Sequence, residues 1–169
     1  RRAYEIGIRH FDTAPLYGEG RSEVRYGRAL RGRQRDTFSL STKVSRVLEP
    51  LDAENLAPRG DEGLPRLEVV FDFSRDGILR SLDESLARLD LDAVDIVYLH
   101  DSDYAGQHPE SDFAGALPTL IELREQGAVW AIGMGMNEWR MTAQMVRGFD
   151  LDIILLAGRY TLLDQQALE

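Results

Sequence analysis

Gly7–Gly18 reads GIRHFDTAPLYG, a short apolar strand with Ile8 and Phe11 that delivers a carboxylate at Asp12, breaks at Ala14-Pro15 and carries a phenol, Tyr17, on the turn beyond. An acid at the end of a strand can serve merely to cap a turn. Lys43 and His100 each close another strand, so several polar groups recur at the same kind of place. A buried strand ending on a titratable group, repeated along a chain, is the pattern of a fold that gathers its chemistry at one end of a sheet.

Outward from this stretch the chain alternates strand and helix. Arg1–Glu5 reads as the last turn of a helix, and Gly7 as its left-handed terminator before a strand at Ile8–Asp12. Gly18 and Gly20 lead into a helix over Ser22–Leu30, and the glycines read as an ordinary turn rather than an anion cradle. Thr37–Val44 (TFSLSTKV) is the next strand and presents Lys43 near its end. Residues 45–73 hold prolines, glycines and scattered charge without a sustained period, so they read as a long loop excursion whose Leu67–Phe73 part could form an extra short strand or a hairpin arm. Ser74 is an N-cap for a helix whose Leu79, Leu82, Leu86 and Leu89 make one apolar face.

Val94–His100 (VDIVYLH) is the near-continuous apolar run of a parallel strand covered on both faces. A helix over Asp112–Gln126 follows, in which Pro118 is tolerable only near the first turn, with Gly127 as its stop. Ala128–Met134 is a strand, Asn137 precedes a helix that ends by Phe149, and Leu151–Leu156 is one more buried strand, with Arg159-Tyr160 beyond it.

Composition sets the bounds. The chain has 169 residues, 43% hydrophobic and 29% charged, which is ordinary for one globular domain. It contains no cysteine, excluding disulfides and thiolate chemistry, and cytoplasm is the default compartment. A formal net charge of −9 argues against nucleic acid and anionic membrane as partners. The three histidines offer no metal-ligand pair at helical or strand spacing. His10 reads as a core histidine, His108 as a loop residue, and Trp130 and Trp139 as packing residues.

Parallel strands joined by helices form an open doubly wound sheet or a closed barrel. The open dinucleotide-binding sheet needs a G-x-G-x-x-G turn, and the chain has none. Asp12, Lys43, His100 and Asn137 instead end different strands, as in a (β/α)8 TIM barrel. Such barrels run to about 250 residues. With about five strand–helix units, the expectation is an α/β incomplete barrel, a single domain over residues 1–169 lacking one strand before Arg1 and two after Glu169. Its edges would be open and its apolar interior exposed.

GIRHFDTAPLYG, STKV, VDIVYLH and REQGAVWAIGMGMNEW, in this order and at these positions, resemble the aldo-keto reductases. LHDSD, IGMGMNEW and LLAGRYTLLD resemble most its branch of D-threo-aldose (L-fucose) 1-dehydrogenases and pyridoxal dehydrogenases. The resemblance implies an NADP- or NAD-dependent oxidoreductase acting on a small sugar-like carbonyl or alcohol. It implies a catalytic tetrad of Asp12, Tyr17, Lys43 and His100, and cofactor contacts from Asp12 and Asn137. Two departures stand out: a Ser-Asn pair usual after the fifth barrel strand is reduced to Asn137, and a Gln-Asn pair after the sixth is Ala157-Gly158.

The residue types suit that chemistry. Hydride transfer to or from a carbinol carbon requires a proton to move on the oxygen. Tyrosine, with an ordinary pKa near about 10, needs an ammonium beside it, and Lys43 held by Asp12 would provide one. A neutral His100 would donate to the substrate oxygen. A Schiff-base barrel using Lys43 as nucleophile and a non-catalytic barrel subunit remain as alternatives.

Overall fold

The computed structural model describes residues 1–51, 66–100 and 113–168. His108, the middle of the 45–73 excursion and the start expected for the helix at Asp112 lie outside the described residues. Five strands form one parallel sheet in the order β1 (His10–Asp12), β2 (Ser39–Val44), β5 (Ile96–His100), β6 (Ala131–Met136) and β7 (Ile153–Leu156). Between them run α2 (Arg21–Leu30), α3 (Arg75–Leu89), α4 (Phe113–Glu125) and α5 (Trp139–Gly148), after a first short helix α1 (Arg2–Glu5). The order follows the sequence with one helical crossover per step, the connectivity of an incomplete α/β barrel.

Within residues 45–73 the strand expected in Leu67–Phe73 forms over Leu67–Phe71, while its partner Arg46–Pro50 is a strand where a loop is expected. Arg46–Pro50 (β3) and Leu67–Phe71 (β4) pair antiparallel as a separate hairpin, from Arg46 opposite Phe71 to Pro50 opposite Leu67. Cross-strand pairing satisfies the backbone, and Pro50, which cannot donate, falls at the strand's end. The period was hidden because the arms are short and separated by a charged, proline-bearing stretch.

The core lies between the sheet's outer face and the helices. Leu40, Val44, Val97, Leu99, Ile132 and Met134 are buried there against Leu30, Ile78, Leu89 and Leu117, and each such side chain contributes about 1.5–3 kcal/mol. Ser74 caps α3 as its sequence predicts, accepting from Gly77 N at 3.1 Å. Two glycines permit close approach. A Cβ at Gly27 would lie 2.2 Å from the Leu89 carbonyl oxygen, and one at Gly133 would lie 1.8 Å from that of Ile153. Pro118 lies inside α4, beyond the first turn of its described part, and the Thr119 hydroxyl donates to the Gly115 carbonyl at 2.6 Å.

On the opposite, concave face, β1 and β2 carry polar side chains rather than the apolar lining expected. His10 Nδ1 meets Ser39 Oγ at 3.0 Å, with Ser41, Asp12 and Lys43 above. Strand alternation explains it, since the apolar half of each strand faces the helices. His10 is accordingly exposed, not a core residue, and Ile8 is 47% exposed ahead of β1. Trp130, expected to pack, is 80% exposed before β6 begins. Among the described residues no helix is long and apolar enough to cross a membrane.

Candidate active site

Four of the residues singled out from the sequence meet at the carboxyl ends of β1, β2 and β5. Asp12 ends β1, and in the parallel register it sits opposite Ser41 of β2, which brings it within reach of Lys43 two residues further along. Lys43 Nζ donates to Asp12 Oδ2 at 2.5 Å and to the Thr13 carbonyl at 2.8 Å. The lysine is 1% exposed and its partner carboxylate 24%, so the pair opens to solvent from the Asp12 side. Burying an ammonium is tolerable only with such partners.

Tyr17 sits on the turn that follows β1, where its amide donates to the Ala14 carbonyl at 3.1 Å. The turn needs left-handed backbone at Gly18 and Gly20, with φ of 68° and 85°. The Lys43 ammonium lies 4.7 Å from the centre of the Tyr17 ring. The Tyr17 and His100 rings meet edge to face at 87°, with centroids 5.8 Å apart. Tyr17 is 40% exposed and His100 only 3%. Burial, reinforced by the charges of Lys43 and Arg46, pushes His100 down to about 3, so its imidazole is neutral at ordinary pH.

Neighbours not anticipated from the sequence complete the arrangement. Ser41 Oγ donates to Asp12 Oδ1 at 2.6 Å. Tyr98 lies opposite Lys43 in the β2–β5 register, 2% exposed, and burial together with the Asp12 charge pushes its phenol up to about 12. Ser45 turns the chain from β2 into β3 with φ of 82°, a strained value for a residue with a side chain, and its hydroxyl donates to the His100 carbonyl at 3.2 Å. Arg46, 7% exposed, lays its guanidinium 4.4 Å from the Phe71 ring centre. The available signal was strand parity, since Ser41 precedes Lys43 and Tyr98 precedes His100 by two positions. Asn137 directly follows β6 and is exposed.

The Aldo/keto reductase family model matches residues 1–169. The chain belongs to the aldo/keto reductase family. It is 42% identical over 174 residues to a D-threo-aldose 1-dehydrogenase from Pseudomonas sp., covering 98% of this chain and 51% of that protein. To a pyridoxal 4-dehydrogenase from Microbacterium luteolum it is 36% identical over 178 residues, covering 96% of this chain and 52% of the relative. Among solved structures it resembles the holo form of the aldo-keto reductase AKR11C1 from Bacillus halodurans, with a TM-score of 0.66 and 25% identity over 91% of this chain and 45% of that one. The chain thus spans about half the length of the curated aldo/keto reductase relatives it matches.

Proposed function

We propose that the protein containing these residues is an NADP- or NAD-dependent oxidoreductase that interconverts a small aldose or aldehyde with its oxidised or reduced partner. The observation that carries the reading is the placement of Lys43, a nearly fully buried ammonium bound to Asp12 while lying beside the Tyr17 ring. In the proposed roles Tyr17 gives or takes the proton at the substrate oxygen, and the Lys43 charge stabilises its phenolate. Asp12 keeps Lys43 charged and in place. His100, neutral across the working range, donates to the same substrate oxygen and orients it.

A nicotinamide suits this donor set, because the residues present move a proton but none can itself accept or supply a hydride. When bound, it supplies that hydride chemistry. Asp12 and Asn137 are the residues here that would hold it. The substrate class is supported by the similarity to an aldose and a pyridoxal dehydrogenase. The Schiff-base alternative needs a free neutral amine at Lys43, whereas Lys43 Nζ is engaged by a carboxylate and a carbonyl.

The test is turnover of the full-length protein with aldoses and pyridoxal, supplying each nicotinamide in turn, and with Tyr17→Phe alongside. Nicotinamide-linked turnover that falls by at least about a hundredfold in Tyr17→Phe is expected. Undiminished turnover in that variant, or borohydride trapping of a covalent substrate adduct on Lys43, would overturn the assignment.

A further inference from the structure

The long stem of Lys43 is buried on the concave face, and its neighbours there are defined by the strand register. Tyr98 stands directly opposite it on β5. On the next strand, β6, Gly135 stands opposite His100, and a Cβ placed there would lie 3.5 Å from Lys43 Cε, 3.8 Å from its Cδ and 3.6 Å from Tyr98 Cβ. The ammonium lies 5.9 Å from the Tyr98 ring centre and 4.7 Å from that of Tyr17. Both distances fall within cation–π range.

We propose that Tyr98 and Gly135 form a slot that aims Lys43 at Tyr17, with Tyr98 as a positioning residue acting through its ring rather than its hydroxyl. A lysine stem has several freely rotating bonds, and its ammonium can serve a reacting phenol only if most rotamers are denied to it. Asp12 and the Thr13 carbonyl hold the tip, but two hydrogen bonds at the tip leave the stem free to bow. The Tyr98 ring and the β6 backbone at Gly135 line the side of the stem that faces β5 and β6, across from β1, where Asp12 and Thr13 hold the tip. The Tyr98 hydroxyl makes no hydrogen bond to another described residue, and its phenol stays protonated well above neutral pH. Gly135 is small for a packing reason: a single Cβ would meet the lysine at ordinary contact distance, and anything branched would displace the stem.

This inference rests on the proposed function, and the experiment separates the two. In the full-length protein, Tyr98→Phe should keep kcat within about twofold, while Tyr98→Leu should lower it by at least roughly tenfold with KM for the substrate little changed, as for misplacement of a catalytic group. Gly135→Ala should behave like Tyr98→Phe, and Gly135→Val like Tyr98→Leu. A readout independent of activity is the Lys43 ε-methylene proton resonance, which the nearby Tyr17 and Tyr98 rings should shift in the parent protein. It should be retained in Tyr98→Phe and move toward its unstructured value in Tyr98→Leu. If Tyr98→Leu does not fold, the Gly135→Ala and Gly135→Val pair decides the matter alone. Parent-like kcat in Tyr98→Leu or Gly135→Val, or an equal fall in Tyr98→Phe and Tyr98→Leu, would overturn the slot. With Tyr17→Phe inactive, those outcomes remove only the slot. An active Tyr17→Phe removes the function beneath it.

Discussion

Ser41 Oγ donates to Asp12 Oδ1 at 2.6 Å while the other oxygen of the same carboxylate takes the Lys43 ammonium. Ser41 is fully buried, so this brace works from inside the sheet. A hydrogen bond to a charged group is worth about 1.5–3 kcal/mol, less where the acceptor is partly solvated, as Asp12 is. Ser41→Ala is expected to lower kcat by about three- to tenfold with KM for the substrate nearly unchanged, as read from steady-state kinetics. An unaltered kcat would mean that Asp12 needs no brace.

Lys43→Met keeps the stem's bulk and removes its charge. Under the proposed mechanism turnover should drop by about a hundredfold or more, with the fold unchanged by circular dichroism. Parent-like turnover would show that the Tyr17 phenol needs no ammonium.

His100 predicts a dependence of stability on pH. Its folded-state value is depressed to about 3 from an ordinary 6.5, so between these values the unfolded chain binds a proton that the folded one refuses. Its contribution is fully present above about pH 6.5 and is lost as pH falls toward about 3. Urea midpoints across that range should decline less steeply in His100→Gln than in the parent. Parallel curves would mean that His100 titrates normally.

Behind the site, Glu23 of α2 is wholly buried, accepting from Thr42 Oγ1 of β2 and Arg88 Nε of α3, each at 2.6 Å. Arg88→Met leaves that carboxylate with the threonine alone. A loss of about 3 kcal/mol is expected from removing one partner of a buried pair, measured by denaturant unfolding. A loss below about 1 kcal/mol would place Glu23 in effective contact with water.

Gly27→Ala tests backbone proximity instead of charge. Its methyl would lie 2.2 Å from the Leu89 carbonyl oxygen, forcing α2 off the end of α3. Helix propensity favours alanine by about 1 kcal/mol, so a marked fall in thermal midpoint would show that packing prevails over propensity.

The sequence by itself determined the alternation of strands and helices, the barrel class and the strand-end positions of Asp12, Lys43 and His100. These depend on local information: a strand's two-residue period, the continuous apolar run of a strand covered on both faces, and caps such as Ser74. Only the tertiary structure decided who stands beside whom. Ser41 meets Asp12, Tyr98 meets Lys43, and Gly135 meets His100 through the register between strands far apart in the chain. That register is set by helices packing on the opposite face of the sheet, which no single strand's sequence records. The same holds for the β3–β4 hairpin, the exposure of His10 and Trp130, and the polar lining of β1 and β2: a strand's alternation shows that its two faces differ, and the partner packed on each face decides which becomes core.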